Sequence, residues 1–109
     1  MLATDIQHTL TTTGMPVTYY QWEPGHVPEL PYLIWWLPND DDVYADDSNY
    51  VHVQNVRVEL YTETKDWDAE ATVETALKTA GIPYDRTELY IEDERMFLIR
   101  YDFSAVIND

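Results

Sequence analysis

Residues 30–37, LPYLIWWL, are apolar or aromatic almost without interruption, and nothing else in the chain restricts its fold as much. Read as a strand, the run sends Tyr32, Ile34 and Trp36 to one face of a sheet and Leu33, Trp35 and Leu37 to the other, because successive side chains alternate. Both faces are then apolar, the pattern of a strand covered on both sides. Covering two faces takes a layer on each, and the rest of the chain offers one strong helix and one thin one. Either the two helices split between the faces, or one face is covered by another molecule. Burying an exposed tryptophan stabilises by about 2 kcal/mol or more, so a second subunit over this face would gain enough to hold an assembly together.

The remaining elements follow from periodicity and punctuation. Leu2, Ile6 and Leu10 lie four apart and predict a helix over 2–13, stopped by Gly14 and Pro16. Residues 17–22 (VTYYQW) are β-branched and aromatic and predict a strand closed by Pro24-Gly25. The apolar strand covers 29–37, with Pro31 and Pro38 near its ends, where a missing N–H does least harm. In 50–63, Val51 and Val53 share one strand phase and Val56, Val58 and Leu60 the other. That slip predicts a β-bulge or break at Gln54-Asn55.

Residues 66–80 (DWDAEATVETALKTA) form the strongest helix signal. Asp66 is the N-cap, Asp68 and Glu70 stand in the first turn, Lys78 in the last, and Gly81 with Pro83 ends it. Its expected apolar stripe is Trp67, Ala71, Val73, Leu77 and Ala80. A last hairpin spans 88–103, turning at Glu92–Arg95 and placing Phe97, Ile99, Tyr101 and Phe103 in one phase. The order α-β-β-β-α-β-β, with no repeat or linker, describes a single α+β domain over 1–109. Its sheet is twisted and mostly antiparallel, of about five strands, on one main helix with a second N-terminal helix.

Composition excludes several functions. Six Lys plus Arg stand against 21 Asp plus Glu, a formal charge of −15 that repels nucleic acid phosphates and anionic membranes. There is no cysteine, hence no disulfide framework, thiolate metal site or cysteine nucleophile. No stretch approaches the roughly 18 apolar residues of a membrane span, and MLATDIQHTL lacks the basic start and apolar middle of a signal peptide. These features read as a soluble, cytoplasmic protein. Its 14% aromatic content is unlike that of a disordered acidic tail.

Asp40, Asp41, Asp42, Asp46 and Asp47 could gather a hard divalent cation, but an EF-hand loop would need an Asp or Asn where Tyr44 stands, and its glycine is missing. A solvated loop is the simpler account. His8, His26 and His52 have no paired spacing, the three glycines make no phosphate loop, and no GxSxG surrounds Ser48 or Ser104. Glu63, Asp66, Asp68 and Glu70 gather at a helix start, where capping explains them. Tyr61, Glu63, Asp66 and Trp67 are read as structural, and no catalytic residue, cofactor or metal is expected.

The order PYLIWWLP, VYADDSNY, VRVELYTETKDWDAEATVETAL and ELYIEDERMFLIRYDF resembles the tail terminator (tail completion) proteins of long-tailed phages and prophages of Gram-positive bacteria. The likeness covers residues 24–103, its most specific parts being ADDSNY and then LYTETKDWDAEATVETAL. The resemblance implies an α+β subunit without enzyme activity. Such a subunit assembles as a ring, a hexamer, on the finished tail tube, stops its polymerisation and meets the head connector. It implies as partners further copies of the chain, the tail tube protein and the head connector. The implied location is the bacterial cytoplasm during assembly and then the virion neck. Under it, Trp35, Trp36 and Tyr32 are candidates for a subunit or tube interface, and Asp40, Asp41, Asp42, Asp46 and Asp47 for a loop where copies meet. The tryptophan pair is bulkier than the pattern, and the charge of −15 suggests an acidic bore that repels passing DNA. The other class is an acidic adaptor or DNA-mimic inhibitor binding a basic protein. A mimic spreads its carboxylates in stripes, whereas here aspartates bunch within 39–47.

Overall fold

Two helices pack on one side of a five-stranded mixed sheet, an α+β architecture. In chain order the elements are α1 (Ala3–Thr11), β1 (Val17–Tyr19), β2 (Tyr32–Asp40), β3 (Val43–Tyr44), β4 (Tyr50–Val51), β5 (Val53–Thr62), α2 (Trp67–Thr79), β6 (Asp85–Ile91) and β7 (Met96–Val106). The computed structural model describes residues 1–40, 43–44 and 50–107. Strands lie in the order β1-β2-β5-β7-β6, with β3 and β4 forming a small antiparallel ribbon of their own. β1 runs parallel to β2, and the other neighbours are antiparallel. This is the expected order, with the ribbon added between the second and third strands of the main sheet.

Each helix ends where its sequence stops supplying intrahelical partners. At the start of α1 the Asp5 carboxylate accepts the Leu2 backbone N–H at 2.7 Å. The helix closes at Thr11, two residues before the expected end, where the Thr12 and Thr13 hydroxyls donate back to the carbonyls of Thr9 and Leu10. Hydroxyls that compete for backbone acceptors in this way suit helix ends better than interiors. In α2 the Asp66 side chain accepts Ala69 N–H at 3.0 Å, the expected N-cap. At its far end Gly81, at φ 72°, takes the left-handed turn that a Schellman cap requires. Gly81 N–H then reaches Lys78 O at 3.0 Å and Ile82 N–H reaches Leu77 O at 2.9 Å. Ile82 and Leu77 both enter the core, the apolar contact that accompanies this cap.

The apolar stripe of α2 corrects the sequence expectation. Ala69, Glu70, Val73 and Leu77 face inward, while Trp67, Ala71 and Ala80 are exposed. These four positions are the ones that recur at helical spacing, so the helix turns to bury a glutamate and leaves a tryptophan outside.

The phase slip in β5 is also resolved differently. β5 pairs with β7 in unbroken register from Val53↔Val106 to Thr62↔Phe97, so Gln54-Asn55 carries no bulge against that strand. The chain breaks earlier, at His52, and the irregularity in the sheet lies in β2 between Trp36 and Asn39. Pro38 has no N–H to give to β5, and the extra residue of β2 is absorbed there. Val53 faces away from the helices, where its change of phase does no harm.

Candidate functional site

The two tryptophans of β2 lie on opposite faces of the sheet. Trp35 is 4% exposed, within the core formed by Leu33, Val58, Leu60, Ile6 and Leu10. Its indole N–H donates to Gln7 Oε1 of α1 at 2.7 Å, and Tyr19 meets the ring edge-on at 4.8 Å. Because Gln7 satisfies the one polar atom of the indole, the ring can be buried at no unpaired cost. Trp35 is therefore part of the subunit's own core.

Trp36 and Tyr32 point to the face that bears no helix. The two helices do not split between the faces, as the first sequence alternative would have it. A parallel pair such as β1 and β2 needs a connection that returns along the sheet, and here residues 20–31 make it as an irregular strap over the open face. Tyr20 of the strap meets Trp36 edge-on at 5.8 Å, and Trp22 meets Tyr32 at 5.5 Å. Tyr20 leaves β1 through a three-residue turn, at φ 69°, with Gln21 N–H donating to Tyr19 O at 2.8 Å. That turn ends β1 at Tyr19, short of the expected Trp22, and aims the chain across the sheet. Tyr32 is 9% exposed and Leu98, across Tyr61 on β7, is buried, yet both stand apart from the helix-side core. Trp36 stays half-buried, with the Arg57 guanidinium 5.6 Å from its ring centre.

Toward β7 the open face turns polar. Arg57 Nε donates to Asp102 Oδ1 at 2.8 Å, Arg100 lies 4.0 Å from Glu59, and Tyr61 donates to Glu59 at 3.2 Å. Burial first, and then the Glu59 carboxylate, push the Tyr61 hydroxyl well above its ordinary titration range. Asn55 links three strands, donating to Asn39 at 2.7 Å and accepting from Ser104 at 2.7 Å. Asp40 ends β2 exposed, opposite Gln54. Asp41, Asp42, Asp46 and Asp47 lie outside the described residues.

A second polar centre joins α2 to β6. The Glu70 carboxylate accepts Lys65 Nζ at 2.7 Å and also pairs with Arg86, and both cations reach Glu88, at 2.5 and 3.1 Å. Arg86 approaches Glu74, which in turn accepts the Tyr101 hydroxyl at 2.8 Å. The hydrogen bond to Glu70 does most to hold Arg86 and Lys65 protonated, and the bond from Lys65 does most to keep Glu88 below the usual carboxylate range. Tyr101 is raised by burial and by its bond to Glu74. Over this network lies an open groove of about 620 Å³ whose wall includes Trp67. With each carboxylate held by a cation or hydroxyl, the network is built to lock a helix onto a strand. Among the described residues no group of His, Asp and Glu could hold a metal ion, and no helix is long and apolar enough to cross a membrane.

No family model matches this chain, and neither does any curated protein. Among solved structures it is similar to a chain of "Virion of native gene transfer agent (GTA) particle", with a TM-score of 0.60 at 17% identity. The match covers 89% of this chain and 81% of that one. At that identity the likeness establishes a shared fold.

Sequence reasoning placed β2 and its two-faced alternation, and the structure separates its aromatic side chains between the core and the open face. What it missed is the Glu70 network, because a carboxylate in a first helical turn already has a sufficient local explanation. The signal was Arg86, one of only six cations in the chain, standing in the strand that follows α2.

Proposed function

We propose that this chain is a structural protein of a phage or prophage virion, a tail terminator or closely related neck protein. Copies of it form a ring on the end of the tail tube and meet the head connector. The observation that carries this reading is the fold shared with a gene transfer agent virion chain over 89% of the present one. It is supported by the ordered sequence resemblance over 24–103, which rests on different information. An acidic adaptor or DNA mimic would need carboxylates in phosphate-like rows, whereas the aspartates bunch within 39–47 and Glu59, Glu70, Glu88 and Asp102 are each bound to a cation of the same chain.

Deleting the gene from the element that encodes it and imaging the particles tests the role. The expected result is tails of uncontrolled length and heads without tails, restored by supplying the gene in trans. Normal particles from the deletion would overturn it. In an imaged ring the bore is expected to be acidic, so a basic bore would remove the part assigned to the charge of −15.

A further inference from the structure

The main sheet has two free edges among the described residues, and they differ in kind. β6 closes one side, paired with β7 alone. An edge strand presents a row of unpaired N–H and C=O groups, and proteins usually blunt it with proline, charged side chains, a bulge or shortness. Of these β6 has only charged side chains, Asp85, Arg86 and Glu88. Its seven residues, DRTELYI, contain neither proline nor lysine and keep register without a break from Asp85↔Asp102 to Ile91↔Met96. Its one cation, Arg86, is turned inward to Glu70. Apolar side chains nevertheless show at this edge, Leu89 at 38% and Tyr90 at 49% exposure. The other edge is β1, only three residues long, where Tyr19 is 49% exposed, and Tyr20, 59% exposed, follows it at the start of the strap.

We propose that these two edges bind each other between copies of the chain, with β6 of one subunit lying along β1 of the next so that the sheet continues across the boundary. The proposal rests on the ring reading above and names its interface. Strand direction favours it. β1 and β2 run one way, β5 the other, β7 back again, and β6 opposite to β1. Copies related by rotation about an axis along the strands therefore bring β6 against β1 antiparallel. That contact is head-to-tail, the kind that closes into a ring.

Charge selects the same pairing. A two-fold contact of β6 with β6 brings together two copies of Asp85 and of the Glu92-Asp93-Glu94 turn, against which each copy offers Arg95. Residues 17–22, VTYYQW, carry no charge at all in a chain with 21 acidic residues, so β1 is the edge that an acidic β6 can approach without repulsion. Side chains match as well. Tyr19 and Tyr90 both stand on the helix side of the sheet, while Tyr20 and Leu89 stand on the open side, so aromatic meets aromatic or aliphatic on each face.

The absence of cysteine makes the test direct. Gln21→Cys, just past the end of β1, and Thr87→Cys in β6 leave the four apolar side chains in place, and a short bis-maleimide reports their proximity on a denaturing gel. Each single variant alone is expected to remain monomeric on the gel, their mixture to give a heterodimer, and the double variant to give a ladder of multimers. Homodimers from a single variant would establish a two-fold contact and overturn the proposal. Multimers by native mass spectrometry with no cross-linking in the mixture would place the interface elsewhere and overturn it while leaving the virion role intact. A chain that is monomeric at every concentration would also overturn it, and the gene deletion judges the virion role separately. As a second variant, Leu89→Lys with Tyr90→Lys is expected to abolish multimers while circular dichroism keeps the native signal. Unchanged multimers in that variant would count against the edge contact.

Discussion

The two faces of this sheet bury apolar strands by different means. On the helix side Leu33, Trp35, Val56, Val58, Leu60, Ile99 and Tyr101 lie under α1 and α2, almost wholly out of water. On the open side a strap without secondary structure lays Tyr20 and Trp22 across β2, and beyond it ion pairs take over from apolar packing. The first face holds a shared interior in which each side chain touches several elements. The second is a layer one side chain thick, held by pairs. Two apolar faces on one strand therefore do not by themselves demand a partner molecule, since an irregular segment can supply the cover that a helix would. Among the described residues, the main sheet ends in two strands paired on one side only, β1 and β6.

The adjacent tryptophans measure that difference most directly. Trp35→Ala removes a fully enclosed indole and orphans Gln7, and is expected to lower unfolding free energy by about 3–5 kcal/mol, as large-to-small changes in a core do. Trp36→Ala removes a half-buried ring covered by one tyrosine and one guanidinium, and is expected to cost about 1–2 kcal/mol. Urea denaturation of the two variants checks the ranking. Equal costs would mean that the strap side is as well packed as the helix side.

Next in size is the lock between α2 and β6. Glu70 has a side chain 6% exposed, against 21% for Lys65 and 35% for Arg86. Removing one partner of a buried pair is costly because the other charge stays buried, but here both cations can turn toward water. Glu70→Ala is therefore expected to cost about 2 kcal/mol, less than a fully enclosed pair. Glu88→Ala removes an exposed partner of the same cations and is expected to cost less than Glu70→Ala in the same urea series. A larger loss from Glu88 would show that the outer half of the network holds the lock.

The hydroxyls distinguish the faces by pH. Tyr101 on the helix side and Tyr61 on the open side both have raised pKa values, so the folded state keeps their protons at pH values where the unfolded chain has released them. Their contribution is complete below the ordinary tyrosine value of 10.0 and is lost as pH rises above it. Lys65, also raised, acts in the same direction. Stability is thus expected to fall from about pH 10 upward, and Tyr101→Phe to flatten that fall while costing about 1 kcal/mol at neutral pH for its bond to Glu74. Thermal unfolding followed across the alkaline range checks both. An unchanged slope in Tyr101→Phe would assign the alkaline loss to the other raised groups, Tyr61 and Lys65 among them.

How much of this was legible in the sequence follows from how local each cause is. The caps of α2, the alternation of β2 and the final hairpin rest on neighbours a few residues apart, and they stand where the residues put them. The extent of β1, the bulge beside Pro38 and the strap do not have local causes. Tyr20 leaves the strand because Trp36, sixteen positions on, offers a ring to cover, and no periodicity in 20–31 announces that. The alternation slip in β5 predicts a defect of that strand, whereas its open face tolerates either phase and the bulge forms in β2. Glu70 and Trp67 exchanged their expected places for the same reason. Polarity alone puts the indole inside and the carboxylate outside, and the reversal depends on Lys65 and Arg86 arriving from outside the helix. Of the site residues, Trp35 and Trp36 were recognised as a pair, but which of them faces the core was settled by Gln7 of α1.

Trp67 offers the smallest effect and the sharpest contrast with Trp35. It is the same residue type, but 71% exposed, and its ring is accompanied by Lys65 with Nζ 5.2 Å from the ring centre. The cap of its helix belongs to Asp66 and is independent of the indole. Trp67→Ala is expected to change stability by no more than about 0.5 kcal/mol, because an exposed substitution away from caps and cores gives up only a solvated cation–π contact. If urea denaturation instead showed a loss comparable to Trp36→Ala, exposure in the isolated subunit would not rank these tryptophans. The start of α2 would then have to be packed more tightly than the open face of the sheet.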